Sequence, residues 1–455
     1  MTAPNDGDEA DSQACGRFDP FMPAYGAANW QTGPVRQVVR RSATVVALFI
    51  VLSGCSGSSN WLAFRGKQGR GFTSTHINTP IAMKWKLQLQ YDSDSQAESF
   101  NPPIIYDDTI YFGSDDGNFY ALDIESGYMR WVFNTDGAIN SVPTADEEYV
   151  YFGSNDGFFY CVSREDGAEI WSFDTQRLVQ SSTALYNESV VFTSDVGATY
   201  VIDRDGVERH RIENRVWLYH TFQIFEDVMY FAPGPASDPY SLGAYDMTTQ
   251  SYLWWLDTRS DNATWYSFPA LRGDDLFYST AAYPTRDFDL TYYGLDRWTG
   301  EVNWIYRDTS KLGPFATISE IELFRRNLRL LDHMAPSLYR NIVIFTSGDR
   351  TVRAFDQKSG DLAWTNAFQY PTSSAPSVAG SRVYFGVHGD NLSNPEMSGV
   401  EGLVQPKMVA LSARNGSVVW SIDIEGSLLS APVISGKWIV FGTDENVFYV
   451  LEEAL

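Results

Sequence analysis

Through most of the chain, apolar and polar residues alternate over short runs bounded by Gly, Asp, Asn and Ser, which is the period of half-buried strands and not of helices. One stretch of this pattern recurs. Ala121 to Trp131 reads ALDIESGYMRW and Cys161 to Trp171 reads CVSREDGAEIW, an interval of about 40 residues. Further copies are AYDMTTQSYLW (Ala244 to Trp254), GLDRWTGEVNW (Gly294 to Trp304), AFDQKSGDLAW (Ala354 to Trp364) and ALSARNGSVVW (Ala410 to Trp420). A degenerate copy, VIDRDGVERHR, starts at Val201 and lacks the tryptophan. Each copy predicts an outer hairpin. A small residue and Asp end one strand, a glycine (Gly127, Gly167, Gly300, Gly360, Gly416) takes a positive-φ turn position, and the returning strand carries the tryptophan.

An inner strand pair precedes each hairpin. In the second unit, Val142 to Ala145, a DEE turn and Tyr149 to Ser154 lead into Phe158 to Val162 and Glu169 to Phe173. Four short strands in about 40 residues make a propeller blade. An eighth unit contains only three strands in sequence, Ala431 to Ile434, Trp438 to Phe441 and Val447 to Leu451. Met83 to Leu89 is expected to supply the fourth, with Trp85 at the repeated tryptophan position. The expected fold is therefore an all-β, eight-bladed propeller over residues 61–455, closed by N- and C-terminal strands so that no sheet edge is left open.

The A-x-D-x-x-x-G-x-x-x-W string resembles the tryptophan-docking motif of quinoprotein-like (PQQ-like) eight-bladed propellers, and Trp61 to Gly71, WLAFRGKQGRG, resembles the segment that opens many of them. The resemblance implies that Trp85, Trp131, Trp171, Trp254, Trp304, Trp364 and Trp420 wedge between neighbouring blades in a structural role. Two departures stand out. Gln250 replaces the turn glycine in one unit, and His210 and Arg211 lie near the tryptophan position of the third, so two blade junctions are expected to be looser.

The turns joining first to second strands (DD, DEE, NES, ED, GDD, RN, GS, GK) and third to fourth strands are tight, and they share one face of the ring. Every long insert falls on the other face. Pro233 to Ser241, Ala281 to Leu290 and Val387 to Lys407 join second to third strands, and Lys311 to Ala335 joins blade five to blade six. Loops that lengthen on one face of a rigid scaffold are where binding concentrates. Lys311 to Ala335 predicts one short helix, with a capping box at Thr317 to Glu320, an apolar side of Ile321, Phe324, Leu328 and Leu331, and a stop at Pro336. Arg325, Arg326 and Arg329 project from another side, as a solvated surface or as candidate contacts for an acidic partner.

Lys plus Arg number 33 against 57 Asp plus Glu, a formal charge of −24, and no basic stripe relieves it, which argues against a nucleic-acid partner. Aromatics at 15% supply a large core, and charged residues at 20% are too few for a disordered chain. Ahead of the propeller, Arg36, Arg40 and Arg41 precede a short apolar run, Ala43 to Leu52, and the string Leu52-Ser53-Gly54-Cys55. Those are the parts of an export signal. LSGC resembles the lipobox of bacterial lipoproteins, which implies lipidation of Cys55, and Ser56 resembles a signal for outer-membrane retention. Residues 35–54 are then the signal peptide, 55–60 the lipidated tether, and 1–34 a polar leader from a start codon set too early. Two acyl chains on the thiol and one on the amine anchor stably.

The chemistry of an enzyme is thin. Cys15, Cys55 and Cys161 are far apart, so CxxC, CxxCH and adjacent cysteines are absent, and Cys161 in FFYCVS reads as a buried strand residue. His76, His210, His220, His333 and His388 show no metal-ligand spacing, and G-x-S-x-G is missing. SDDG at Ser114 to Gly117 and SNDG at Ser154 to Gly157 read as Asx-type turns. Quinoprotein dehydrogenases, which share the fold, hold a quinone between a Trp and a vicinal disulfide beside Ca²⁺, and this chain has no such cysteine pair. No catalytic residue, metal or cofactor is expected. A lipid-anchored propeller of this length resembles the BamB family. That implies a monomeric scaffold on the periplasmic face of the outer membrane, within a complex built around a β-barrel assembly protein. The alternatives are a propeller binding a small molecule or polysaccharide in its central funnel, and a PQQ-dependent dehydrogenase. Closure by both termini has a direct consequence: deleting residues 61–90 abolishes cooperative unfolding in a denaturant melt, and a truncated protein that melts like its parent contradicts the ring.

Overall fold

The computed structural model describes residues 60–66, 69–89, 102–195, 198–213, 222–231, 240–257, 265–282, 288–310, 335–390 and 403–454. Its strands form eight separate sheets, one per repeat, and each is an antiparallel run of four consecutive strands save for blade five, where Trp265–Tyr266 and Ala270–Arg272 both pair with the second strand, and for blades seven and eight as noted below. The first blade is Ile104–Tyr106, Thr109–Gly113, Asn118–Asp123 and Met129–Asn134. The second, Thr144–Ala145, Tyr149–Gly153, Phe158–Ser163 and Glu169–Asp174, follows the expected segments to within two residues at each end. Burial falls from hub to rim. TIYFG in the second strand of blade one is buried throughout, because a neighbouring blade covers each face, whereas VVWSID in the outer strand of blade seven is largely exposed.

Ring closure runs through Ile81–Gln88, which pairs antiparallel with Val447–Glu453 as the outer strand of blade eight, with Trp85 opposite Val450. All eight outer strands carry a β-bulge at the repeated aromatic position, including Met83/Trp85 here and Val201/Ile202 in the degenerate third unit. The extra residue re-aims one side chain toward the next blade. Six indoles then donate through Nε1 to the carbonyl just after the motif Asp or Ser of that blade: Trp85 to Ile124, Trp131 to Arg164, Trp171 to Arg204, Trp254 to Arg297, Trp304 to Gln357 and Trp364 to Ala413, at 2.8–3.1 Å. The turn glycine has a second duty beyond its positive φ, because the indole lies flat against it. A Cβ at Gly167 would approach Trp131 to 2.7 Å, and one at Gly300 would approach Trp254 to 2.6 Å.

Gly206 of the degenerate unit makes the same contact with Trp171, so that unit receives a tryptophan normally and departs only in what it sends onward. His210, opposite Val201, occupies the tryptophan position and meets the Tyr245 hydroxyl of blade four at 3.3 Å. Gln250, at φ +55°, holds the glycine position of that same blade. The two departures therefore lie at one junction, between blades three and four, and not at two. Trp420 differs in another way. Its Nε1 is buried without a hydrogen-bond partner among the described residues, because blade eight borrows its outer strand and has no turn of its own to receive the indole.

Two further repeats lie outside the motif. Ser141, Ser181, Ser267 and Ser374 sit just ahead of an inner strand, and each Oγ accepts the amide twelve residues on, of Gly153, Thr193, Ser279 and Gly386. Arg164 and Arg204 each reach back to the preceding blade, pairing with Asp107 and Asp146 and stacking on Tyr106 and Tyr149.

The segment from Asn60 to Pro80 fills the hub. Asn60 accepts the Asp107 amide in a tight turn of blade one, and Trp61 exchanges both backbone hydrogen bonds with Ile105. Leu62 accepts from Thr144 of blade two. Phe64 then joins one buried cluster with Val142, Phe268 and Ala335, from blades two, five and six, and it packs edge-on to Phe268 at 5.1 Å. Blades two and six are opposite in a ring of eight, so this cluster spans the axis. Arg65, 1% exposed, donates to Pro376 O, Pro336 O and Ser337 Oγ. With no carboxylate beside it among the described residues, burial pulls its pKa down to about 9. Phe72–Thr73 adds a parallel fifth strand inside blade seven, and Asn78 binds Glu453 as the chain leaves for the rim. The segment dips in from the tight-turn face and returns to it. The pairing of departures predicts coupling: in His210→Trp with Gln250→Gly, the double variant is more stable than the sum of the singles by about 0.5–3 kcal/mol, measured by chemical denaturation, whereas strict additivity contradicts a shared junction.

Candidate functional site

The face opposite the tight turns carries the long inserts, and the described residues show how their roots are held. Asp308 lies in Val302–Ser310, the strand that leads into the Lys311 to Ala335 insert. Its Oδ2 accepts from Arg353 Nε at 3.0 Å and Nη2 at 2.8 Å. Arg353 also pairs with Asp349, and its Nη1 lies 3.3 Å from the Tyr292 hydroxyl. Arg353 and Asp349 are 4% and 3% exposed, so the guanidinium is desolvated and neutralised by two acids at once. Breaking a buried pair strands a charge, at about 3–5 kcal/mol. The root of this insert is thus a rigid point.

The Val387 to Lys407 insert is closed at its base by Asp390. Its carboxylate accepts the Tyr370 hydroxyl at 2.6 Å and the Val404 amide at 2.7 Å, while its own amide donates to Val404 O at 2.8 Å. Beside it, His388 is 2% exposed and bonds Ser427 Oγ through Nδ1 at 2.8 Å. Burial lowers its pKa to about 3, so the ring is neutral at physiological pH. The two ends of the segment Ala281 to Leu290, expected as an insert, continue the hairpin, since Ala281 pairs with Leu290 and Ala282 with Asp289. Strand pairing has a lower conformational cost than an equally long free loop.

The remaining predicted positions divide cleanly. Asp116 and Asp156 each accept the amide two residues on, at 2.9 Å, and take the hydroxyl of Tyr120 or Tyr160, so SDDG and SNDG are Asx turns braced by a tyrosine. Cys161 is fully buried in the blade two core, and burial raises its thiol pKa. Cys55, His220, His333, Arg325, Arg326, Arg329 and most of Pro233 to Ser241 lie outside the described residues, as does the expected helix. Among the described residues no group of His, Cys, Asp and Glu is arranged to hold a metal, and no helix is long and apolar enough to cross a membrane. The Arg353 cluster and the Asp390 root join residues that no sequence motif links. The only trace of the first in sequence is Asp349 and Arg353 four residues apart across a turn, which is a weak signal in a strand-rich chain.

The geometry defines the class as an eight-bladed, PQQ-like propeller. The family model described as outer membrane protein assembly factor BamB matches residues 83–306, 322–405 and 349–454, and the chain belongs to that family. Among solved structures, BamB from Moraxella catarrhalis is similar at 13% identity and a TM-score of 0.58, covering 82% of this chain and 100% of that one. Quinohemoprotein alcohol dehydrogenases are similar too: that of Pseudomonas putida HK5 at 14% identity and 0.63, and that of Comamonas testosteroni at 12% and 0.62, each covering 87% of this chain and 80% of theirs. Identities this low speak to fold alone. A comparison with curated proteins finds no match.

The enclosed imidazole sets a pH dependence. With a folded pKa of about 3 against 6.5 in the unfolded chain, His388 binds its proton only on unfolding, so its contribution is intact above about pH 6.5 and is lost as pH falls toward 3. The slope is at most about 1.4 kcal/mol per pH unit. His388→Gln should flatten the acid limb of stability against pH; equal slopes for parent and variant contradict the assignment.

Proposed function

We propose that this protein is a non-catalytic, lipid-anchored scaffold on the periplasmic face of the outer membrane, with a BamB-like role in assembling outer-membrane β-barrel proteins. The observation that carries this reading is the family membership across residues 83–454 together with inserts confined to one face of a rigid ring. Partner proteins dock on that face, whose insert roots are fixed by Arg353 and Asp390. Arg325, Arg326 and Arg329 are the proposed contacts for acidic partner surface, and Cys55 is the proposed lipid site.

The dehydrogenase reading draws on the similarity to quinohemoprotein enzymes, and the residues do not fit it. A quinone sandwich of that kind needs adjacent cysteines, whereas the one described thiol is sealed in the blade two core. Phe64 and its partners also fill the hub axis with apolar side chains.

Affinity capture from detergent-solubilised membranes tests the scaffold reading. A β-barrel assembly protein should copurify, and reversing the charge at Arg325, Arg326 and Arg329 should weaken capture about tenfold, as expected for lost charge-assisted contacts, with an unchanged melt. Capture indifferent to that reversal removes the arginines from the interface. Failure to capture any such protein, with turnover appearing on addition of quinone, Ca²⁺ and an artificial electron acceptor, favours the enzyme.

A further inference from the structure

The path of the hub segment fixes more than the fold. Asn60 is hydrogen-bonded in the Asp107 turn, and Trp61 pairs with the innermost strand of blade one, so the chain enters the ring close to its axis and on the tight-turn face. Cys55 is only five residues ahead of Asn60. We propose that the tight-turn face is turned toward the lipid headgroups and the insert face away from them. The proposal rests on lipidation of Cys55, as set out under the proposed function.

The reach of the tether decides which face turns down. Five extended residues span at most about 18 Å. To bring the insert face to the membrane, the tether would have to run outward past three further strands, about 15 Å at the usual spacing, and then across the thickness of the disc, about 18 Å for strands of five or six residues. The route of about 33 Å exceeds the tether nearly twofold. Leaving from the hub and not from the rim is what makes the difference, since a rim attachment would let either face turn down.

Adhesion does not set this orientation. Several cations of the tight-turn face are committed to neighbouring acids: Arg164 to Asp107, Arg204 to Asp146, Lys84 to Glu125 and Lys358 to Asp275. The turns of that face carry more acids than cations, with Asp107, Asp108, Glu147, Glu148, Glu165 and Asp166 in the first two blades alone, so the face has no attraction for anionic lipid and the tether alone holds it there. The consequence for binding is that partners meet the insert face from the side away from the membrane.

Energy transfer from the lipidated full-length protein tests this. Glu147→Cys places a label in the DEE turn of the tight-turn face, and Asp136→Cys places one on the insert face; Cys161 is buried and does not compete for the dye. In phosphatidylethanolamine and phosphatidylglycerol vesicles bearing headgroup acceptors, transfer from the position 147 label should exceed that from position 136 by roughly twofold or more, given the separation of the faces. Inserting twenty Gly/Ser residues between Cys55 and Asn60 should abolish the difference. Membrane-bound protein with equal or reversed transfer overturns the orientation while leaving lipidation standing. Protein that stays in the supernatant overturns lipidation, and the orientation with it.

Discussion

The uncovered face of a blade is the problem that every other feature of this chain is arranged around. A blade taken alone exposes two apolar faces at its sides, whereas the short edge of its outer strand stays open even in the finished ring. The faces are covered only if the blades form a ring, and the ring exists only if the eighth sheet is completed by Ile81–Gln88, which lies before the first blade in sequence. Trp85 then does at the closing junction what five other tryptophans do elsewhere, inserting an indole against the next blade and donating to a backbone carbonyl, here Ile124 O. Closure is thus one more copy of the repeated junction, made by joining the two ends of the chain.

The same constraint accounts for how the hub is filled. Eight short inner strands surround an axis that their own side chains do not occupy entirely, and the chain must pass from the hub to the rim of blade eight. Asn60 to Pro80 does both. It threads Phe64 across the axis, spends the desolvated Arg65 guanidinium on backbone carbonyls of blades six and seven, and leaves along blade seven. Filling the hub from the tight-turn side leaves the insert face as the one with variable loops. In a BamB-family chain, that asymmetry separates a structural face from a candidate binding face.

Much of this is legible in the sequence because it repeats. The spacing of Ala, Asp, Gly and Trp gives blade number, strand order and closure, since a motif that must contact its own neighbour appears once per unit. What does not repeat is hard to see. The His210 and Gln250 departures are visible one at a time, but that they meet at one junction follows only from knowing that an aromatic of blade three faces the turn of blade four. The Arg353 cluster joins Tyr292, Asp308 and Asp349 from two blades, and nothing in their sequence spacing announces it. Ala281 to Leu290 stands out in sequence only as added length between two strands, and that its ends continue the hairpin follows from the pairing of Ala281 with Leu290.

Amide hydrogen exchange addresses the closing strand most directly. If the ring is shut by Ile81–Gln88, its paired amides and those of Val447–Glu453 exchange with the same free energy, equal to that of global unfolding, because neither strand can leave without opening the ring. Exchange of the 81–88 amides at far lower free energy than the 447–453 amides, in a protein otherwise intact, would show a strand that merely rests on a stable structure and would contradict the account.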